Sequence, residues 1–410
     1  MRSATAHACL PLLGFLLWGC GTPPSEPCAC ADGHGVTLCD GGDCTSCQCL
    51  DFAPPTEDPV PAVTRFVDAD ASDGDGSETD PWAGPHWETL DRDVATGNVL
   101  VIFDAGDTWP EYLAIGRTDA RSRITVRGFD VTGSKDKGIY WRSGDDIVIE
   151  DNLVHANRGT PSVSLDYTSR SGHRSTSFIV RNNHVWDQAG ECIYIGGAEG
   201  EDIDAHEVVV IENNLVHDCR VPFSSQEDGI NIKDRIGSVT VARNVVFETN
   251  WGIEIASPSA VRGNLVFGTR SDGIHVADEW GPDEAGIYLN ATNNAWSNVM
   301  LLRLTVIGPR EAAIEAGGEG GIDGIIDDVV LANSSVGLDA WSPMGFELGK
   351  CTVHGNDLAG DREFAALAED CADVDPGFGD LRAPAGPDGR FFTDDDPWVS
   401  ASGGARPDRE

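Results

Sequence analysis

The chain has 410 residues, with 68 acidic against 28 basic side chains for a formal charge of -40, and 40% of its residues are hydrophobic. That length holds one large domain with small appendages, and that charge sets nucleic acid aside as a partner, because phosphate binding needs a basic stripe. The acids are spread along the chain rather than gathered in one tail, the pattern of a solvated surface.

The N-terminus has the form of an export signal. Arg2 supplies positive charge, and Leu10 to Trp18 is an apolar core too short to span a bilayer. It runs into Leu17-Trp18-Gly19-Cys20, which resembles the bacterial lipoprotein signal box. The resemblance implies cleavage after residue 19, a diacylglycerol on the Cys20 sulfur, and a protein exported and lipid-anchored in the cell envelope or on the cell surface. Ordinary secretion is the alternative. Residues 20–50 then carry Cys28, Cys30, Cys39, Cys44, Cys47 and Cys49, while Cys192, Cys219, Cys351 and Cys371 lie in the body. Both sets are even, as an oxidising compartment favours. Cys28-Ala29-Cys30 and Cys44-Thr45-Ser46-Cys47 also have the look of zinc ligand pairs. Residues 51–64 are Pro-rich and acidic and read as an extended linker.

The main domain, 65–375, is governed by a repeat. Asp151-Asn152-Leu153-Val154, Asn182-Asn183-His184-Val185, Asn213-Asn214-Leu215-Val216, Arg243-Asn244-Val245-Val246 and Gly263-Asn264-Leu265-Val266 share an Asn in second place, at spacings of 31, 31, 30 and 20. Each of the first four follows a β-rich run, and no helical periodicity intervenes, so the unit is all strand. The expected fold class is all-β, a solenoid of parallel strands with about nine rungs between Arg123 and Leu348. Stacking at roughly 4.8 Å per rung would let the Asn amides bond up and down one column. Whether Asn294 continues that column is open.

The domain starts with Phe66-Val67-Asp68-Ala69-Asp70-Ala71-Ser72-Asp73-Gly74-Asp75-Gly76, then Pro81-Trp82 and Trp87-Glu88-Thr89-Leu90. With Ala105-Gly106-Asp107-Thr108-Trp109 and Arg123-Ile124-Thr125-Val126-Arg127-Gly128, this passage resembles the opening of right-handed parallel β-helix proteins of the pectate-lyase-like superfamily. The resemblance implies a short capping helix, here Trp87 to Thr96, over the first rung, whose backbone edge is otherwise unpaired. Asp73-Gly74-Asp75-Gly76 can be a cap turn or a calcium loop, although the strict calcium-loop pattern is absent. At the far end a Cys351–Cys371 disulfide would suit a closing cap, and Cys192–Cys219 could staple adjacent rungs. Residues 376–410 form an acidic tail that is either solvated or a calcium holder.

A second signature, Gly-Ile-x-Ile and relatives, recurs at Ile139, Ile193, Ile230, Ile253, Ile274 and Ile287. Alternation turns the aliphatics inward and leaves Tyr140, Tyr194, Asn231, Glu254, His275 and Tyr288 as an outward column. Rings for stacking and polar tips for hydroxyls make such a strip suited to polysaccharide. Lys233 shares its face, Glu227 and Asp228 precede it, and Asp272, Asp278 and Glu279 flank His275.

The run Glu227-Asp228-Gly229-Ile230-Asn231-Ile232-Lys233 is similar to the acid-x-x-x-x-Lys run of chondroitinase B and alginate lyases of this fold. That similarity implies β-elimination on an acidic polysaccharide, with Lys233 as base and Ca2+ held by Glu227, Asp228 and Asn231. Tyr194, Glu254, His275 and Tyr288 would line the groove. Glu254 stands where those enzymes place an Arg, and so opens a glycoside-hydrolase alternative in which it works with Asp228 or Asp272. A non-catalytic, adhesive carbohydrate-binding face is the remaining alternative, with Lys233 merely paired to Asp228 or Glu254.

Overall fold

The computed structural model describes residues 35–40, 43–49, 63–67, 74–83, 99–103, 108–109, 113–115, 124–134, 137–141, 146–157, 163–165, 177–196, 206–219, 228–233, 236–256, 259–269, 274–277, 296–317, 322–340, 344–360 and 365–378, and Ser72. The export signal, Cys20 and residues 51–62 of the linker lie outside these residues, and Val63 and Thr64 already belong to the first strand. Within the Cys-rich segment, Gly35–Asp40 and Asp43–Cys49 pair as an antiparallel hairpin.

From Val99 on, each turn of the described chain lays one strand into each of three sheets. The first sheet has eleven strands, from Val63–Val67 to Met344–Leu348. The second and third have ten each, ending at Cys351–His354 and Leu358–Gly360. Neighbours in the three sheets run parallel, and the fold is a right-handed parallel β-helix. Nine of the eleven first-sheet strands fall between residues 123 and 348, matching the expected rung count, and two precede them. The inward columns are β-branched and aliphatic. Ile149, Val180, Ile211, Val241, Val261, Leu301 and Ile326 are in register and fully buried. Their burial against the columns of the other two sheets is what drives the coil to close.

The asparagine column exists as the repeat implied. Asn152, Asn183, Asn214, Asn244 and Asn264 are all fully buried. The Nδ2 of each of the first four donates to the Oδ1 of the next at 2.8 to 3.0 Å, and all five donate to a strand carbonyl of the rung before at 2.8 to 3.1 Å. Each Oδ1 also accepts the backbone N–H of the residue one rung earlier at 2.8 to 3.1 Å. Phe129 ends the column on one side and Leu304, fully buried, takes the place beyond Asn264; Asn294 lies outside the described residues. The bend itself needs a left-handed residue just before each of these positions. Gly128, Asp151, Asn182, Asn213, Arg243, Gly263, Arg303 and Asp328 fill that place with φ from 52° to 82°, which Gly, Asn and Asp tolerate far better than Arg.

Both ends of the coil are covered. At the start, Phe66 donates its N–H to Gly76 O and accepts from Trp82 N, each at 3.0 Å, so residues 74–82 fold back onto the free edge of the first strand. Gly76 sits at φ +81°, and a Cβ there would lie 2.5 Å from the Trp82 ring. Asp75 spends its carboxylate on the Ser77 N–H at 2.9 Å, a cap-turn role. The helix expected over Trp87 to Thr96 lies outside the described residues. At the other end the Cys351–Cys371 disulfide forms, and Ala372 adds parallel bonds to the last second-sheet strand beside the short helix Ala365–Ala368.

The second sheet carries an outward stack that the repeat analysis passed over. Trp186 lies on His155 at 4.1 Å, His217 on Phe247 at 4.6 Å and Phe247 on Phe267 at 4.7 Å. These residues share one register, so identical placement on successive rungs produces the stack.

Candidate functional site

The third sheet presents the column singled out in the sequence, in a corrected order. Its register runs Tyr140, Ser164, Tyr194, Asn231, Glu254, His275, Glu315, Asp339. Ser164 was missed because Val163-Ser164-Leu165 lacks the Gly-Ile mark. Tyr288 does not follow His275: the strand that pairs with Ile274–Ala277 is Ala312–Gly317, so Glu315 takes that place, and Tyr288 lies outside the described residues. Gly286-Ile287-Tyr288-Leu289 matches the local motif, but only pairing fixes a rung. His275 is placed by its backbone alone.

The centre of the column is a buried cluster. Cys192 N–H bonds Asp228 O at 2.9 Å, which sets Glu191 and Asp228 at the same level of neighbouring rungs, each two residues before the first Ile of its strand. Asn231 Nδ2 donates to Glu191 Oε1 at 3.1 Å and to Asp228 Oδ2 at 2.7 Å, bridging the two acids. On the next rung Glu254 meets Lys233, with Nζ 3.9 Å from Oε2, and the same Nζ lies 5.7 Å from the Tyr194 ring centre. Glu191 was not picked out in the sequence. Its signal was present: Glu191, Asp228 and Asp272 each stand two places before the leading Ile of a strand.

Two features make this cluster unlike a solvated face. Asp228 and Asn231 are each only 1% exposed, although they belong to the outward side of the sheet. And the buried Asp228 Oδ1 and Asn231 Oδ1 have no hydrogen-bond partner, an arrangement that costs free energy unless something donates to them. Burial raises the Asp228 carboxyl well above the usual range, and the Glu254 and Glu191 charges raise it further, against smaller opposing effects of Lys233 and Asn231. Asp228 is therefore held as a carboxylic acid at a pH where an exposed aspartate has ionised. The fully buried Cys192–Cys219 disulfide, Cα–Cα 5.7 Å, staples neighbouring rungs directly behind Glu191.

The donor set does not fit Ca2+ as arranged. Glu227 lies outside the described residues, the amide NH2 of Asn231 occupies the place between Glu191 and Asp228, and no group of three or more acid, His or Cys ligands is poised for a metal among the described residues. Calcium wants about six to eight oxygens. Asp272, Asp278 and Glu279 also lie outside the described residues.

No family model and no curated protein matches the chain. Among solved structures, a crystal structure of the pectate lyase Pel9A is similar to it, with 12% identity and a TM-score of 0.48 over 83% of this chain and 90% of that one. A likeness of that size assigns no activity, which has to be argued from the side chains.

Proposed function

We propose that the third-sheet face binds a polysaccharide and cleaves a glycosidic bond with a pair of carboxyls. Asp228 is the proton donor to the leaving oxygen, and Glu254, one rung on, is the carboxylate that acts as base or nucleophile. One observation carries this reading: Asp228 is buried among negative charge, which raises its carboxyl, while Glu254 on the next rung lies 3.9 Å from the Lys233 ammonium. Two such carboxyls are what glycoside hydrolysis requires. Tyr194 supplies a ring face for a sugar, and Asn231 and Lys233 supply polar contacts.

Elimination from a uronate, with Lys233 as base, is the second reading, favoured by the position of Lys233 beside Tyr194 on this face. The two readings separate by product. Incubation with neutral and uronate-containing glycans should give new reducing ends without ultraviolet absorbance if Asp228 and Glu254 are the pair, and Asp228→Asn should lower the rate by about a hundredfold or more. Unsaturated, absorbing products that vanish in Lys233→Ala would hand the site to elimination. Binding with neither product would leave an adhesive surface.

The resemblance at Leu17-Trp18-Gly19-Cys20 supports an exported lipoprotein whose β-helix is carried away from the membrane by residues 20–64. Cys20→Ser should release soluble protein or leave an uncleaved precursor; unchanged membrane fractionation would remove the anchor.

A further inference from the structure

We propose that Asn231 is a positioning residue for the proton donor: by holding Oδ2 of Asp228 it makes Oδ1 the oxygen that carries and gives the proton. The inference rests on the reading above, in which Asp228 is the acid. Hydrogen bonding carries it first. The Asn231 amide nitrogen has two hydrogens, and both go to acids, one to Asp228 Oδ2 at 2.7 Å and one to Glu191 Oε1 at 3.1 Å. Oδ2 of Asp228 is thereby engaged as an acceptor, the part that the carbonyl oxygen of a carboxylic acid plays. The proton belongs on the other oxygen.

The unmet atoms agree. Asp228 Oδ1 and Asn231 Oδ1 are buried without a hydrogen-bond partner, and two bare acceptors in one acid–amide pair are costly. A proton on Oδ1 turns one of them into a donor, so the pair then offers one donor and one acceptor. A proton on Oδ2 would leave both oxygens bare and set the Asn231 N–H against a hydroxyl. The backbone joining the two residues is also pinned. Gly229 and Ile230 donate to Trp251 O and Gly252 O of the next rung at 2.9 and 3.0 Å, and Gly229 O accepts from Ile193 of the rung before at 3.0 Å. A Cβ on Gly229 would run into Val246 Cγ1 and lie 2.6 Å from Gly252 O. Acid and amide are therefore held on rigid strand, as a positioned group requires.

The chemistry gives the amide a second part. Oδ1 passes its proton to the leaving oxygen as the bond from that oxygen to the anomeric carbon breaks, and the bonding pair stays on oxygen. Asp228 becomes a carboxylate, and its new charge is shared with Oδ2. There the Asn231 N–H bond becomes charge-assisted and strengthens as the transition state is approached. An interaction that is stronger in the transition state than in the bound substrate acts on kcat rather than on KM.

The test uses the full chain with Asn231→Leu, close in shape and without donors, and Asn231→Gln, which keeps the amide. Folding is checked by circular dichroism and thermal melting, and Asn231→Ala gives the same readings where Leu disturbs it. Infrared difference spectra against Asp228→Asn isolate the carbonyl stretch of the Asp228 acid. With Oδ2 as a hydrogen-bonded carbonyl, Asn231→Leu should raise that frequency and keep the band to higher pH, because a donor to the ionised form is gone. An absent or unmoved band overturns the inference. A band lost at lower pH marks water entering a loosened site, a merely structural role, and overturns it too. On hexamers of β-1,4-linked glucose, xylose and N-acetylglucosamine, Asn231→Leu should lower kcat at least about tenfold with KM nearly unchanged, and Asn231→Gln should recover part of the loss. If Asp228→Asn loses cleavage while Asn231→Leu keeps its kcat, the inference falls and the catalytic pair stands. If the wild type cuts none of the hexamers, Asp228 as acid and Asn231 as its positioning residue fall together.

Discussion

The asparagine column and the third-sheet cluster both stack polar side chains on successive rungs, yet one is complete and the other is not. Inside the column, at Asn183, Asn214 and Asn244, each Oδ1 accepts two hydrogen bonds and each Nδ2 donates at least two within the chain itself. In the cluster Asn231 gives both its donor contacts to acids and its own oxygen receives nothing. A buried amide in a closed ladder holds register, as a satisfied network does. One left open among carboxyls has needs that a ligand can meet, and such departures from local satisfaction gather at working sites.

The largest effect should come from breaking the complete side of that comparison. Asn214→Ala removes the acceptor of both the Asn183 N–H and its Nδ2, and takes one donor each from Val180 O and Asn244 Oδ1, so we expect a loss of about 3–5 kcal/mol in denaturant unfolding. Asn214→Leu should cost less than Ala, since Leu304 fits the equivalent place at the end of the column. A loss under about 1 kcal/mol in either variant would mean the ladder is decorative.

The open side should respond in the opposite direction. Asp228 has a raised folded pKa, so the folded protein holds its proton over a pH range where the unfolded chain has released it. Stability should therefore fall as pH rises from the ordinary aspartate range toward the folded pKa. Asp228→Asn removes that slope and should stabilise the protein by about 1–2 kcal/mol at neutral pH while lowering cleavage by about a hundredfold or more. His206 acts at the acid end. Burial pushes its imidazole down to about 4 while the ring contacts Gly196 O at 3.1 Å. With the unfolded value near 6.5, stability should drop as pH falls from there, by about 3 kcal/mol at pH 4. His206→Gln should flatten the acid limb and leave the alkaline one, which pH-dependent melting would resolve.

The smallest effect concerns the bend beside the ladder. Arg303 holds φ +52° where Gly128 and Gly263 stand on other rungs. Arg303→Gly should shift stability upward by under about 1 kcal/mol, because it relieves the left-handed cost while loosening the unfolded chain. A clear destabilisation would show that the Arg303 side chain matters more than its backbone.

Much of the fold was legible because it repeats. A spaced Asn with β-branched neighbours can be read without any contact, since each rung stacks on a copy of the same local geometry. Both body disulfides form as the sequence allowed, Cys192–Cys219 across adjacent rungs and Cys351–Cys371 in the closing cap. Legibility failed where the repeat is interrupted. Tyr288 carries the right local residues and still does not follow His275, because register is decided by which strands pair, and Ala312–Gly317 pairs there.

By itself the sequence determined the all-parallel coil, its inward columns and the asparagine register, all of which are periodic properties of a chain folded against itself. Only the tertiary structure decided the chemistry of the third sheet. It brought Glu191 beside Asp228 across 37 residues of chain, and it buried Asp228 and Asn231 on a face that alternation marks merely as outward. Alternation gives a side chain's direction, but its charge state depends on the neighbours and the solvent left around it, and those are set by three-dimensional packing alone.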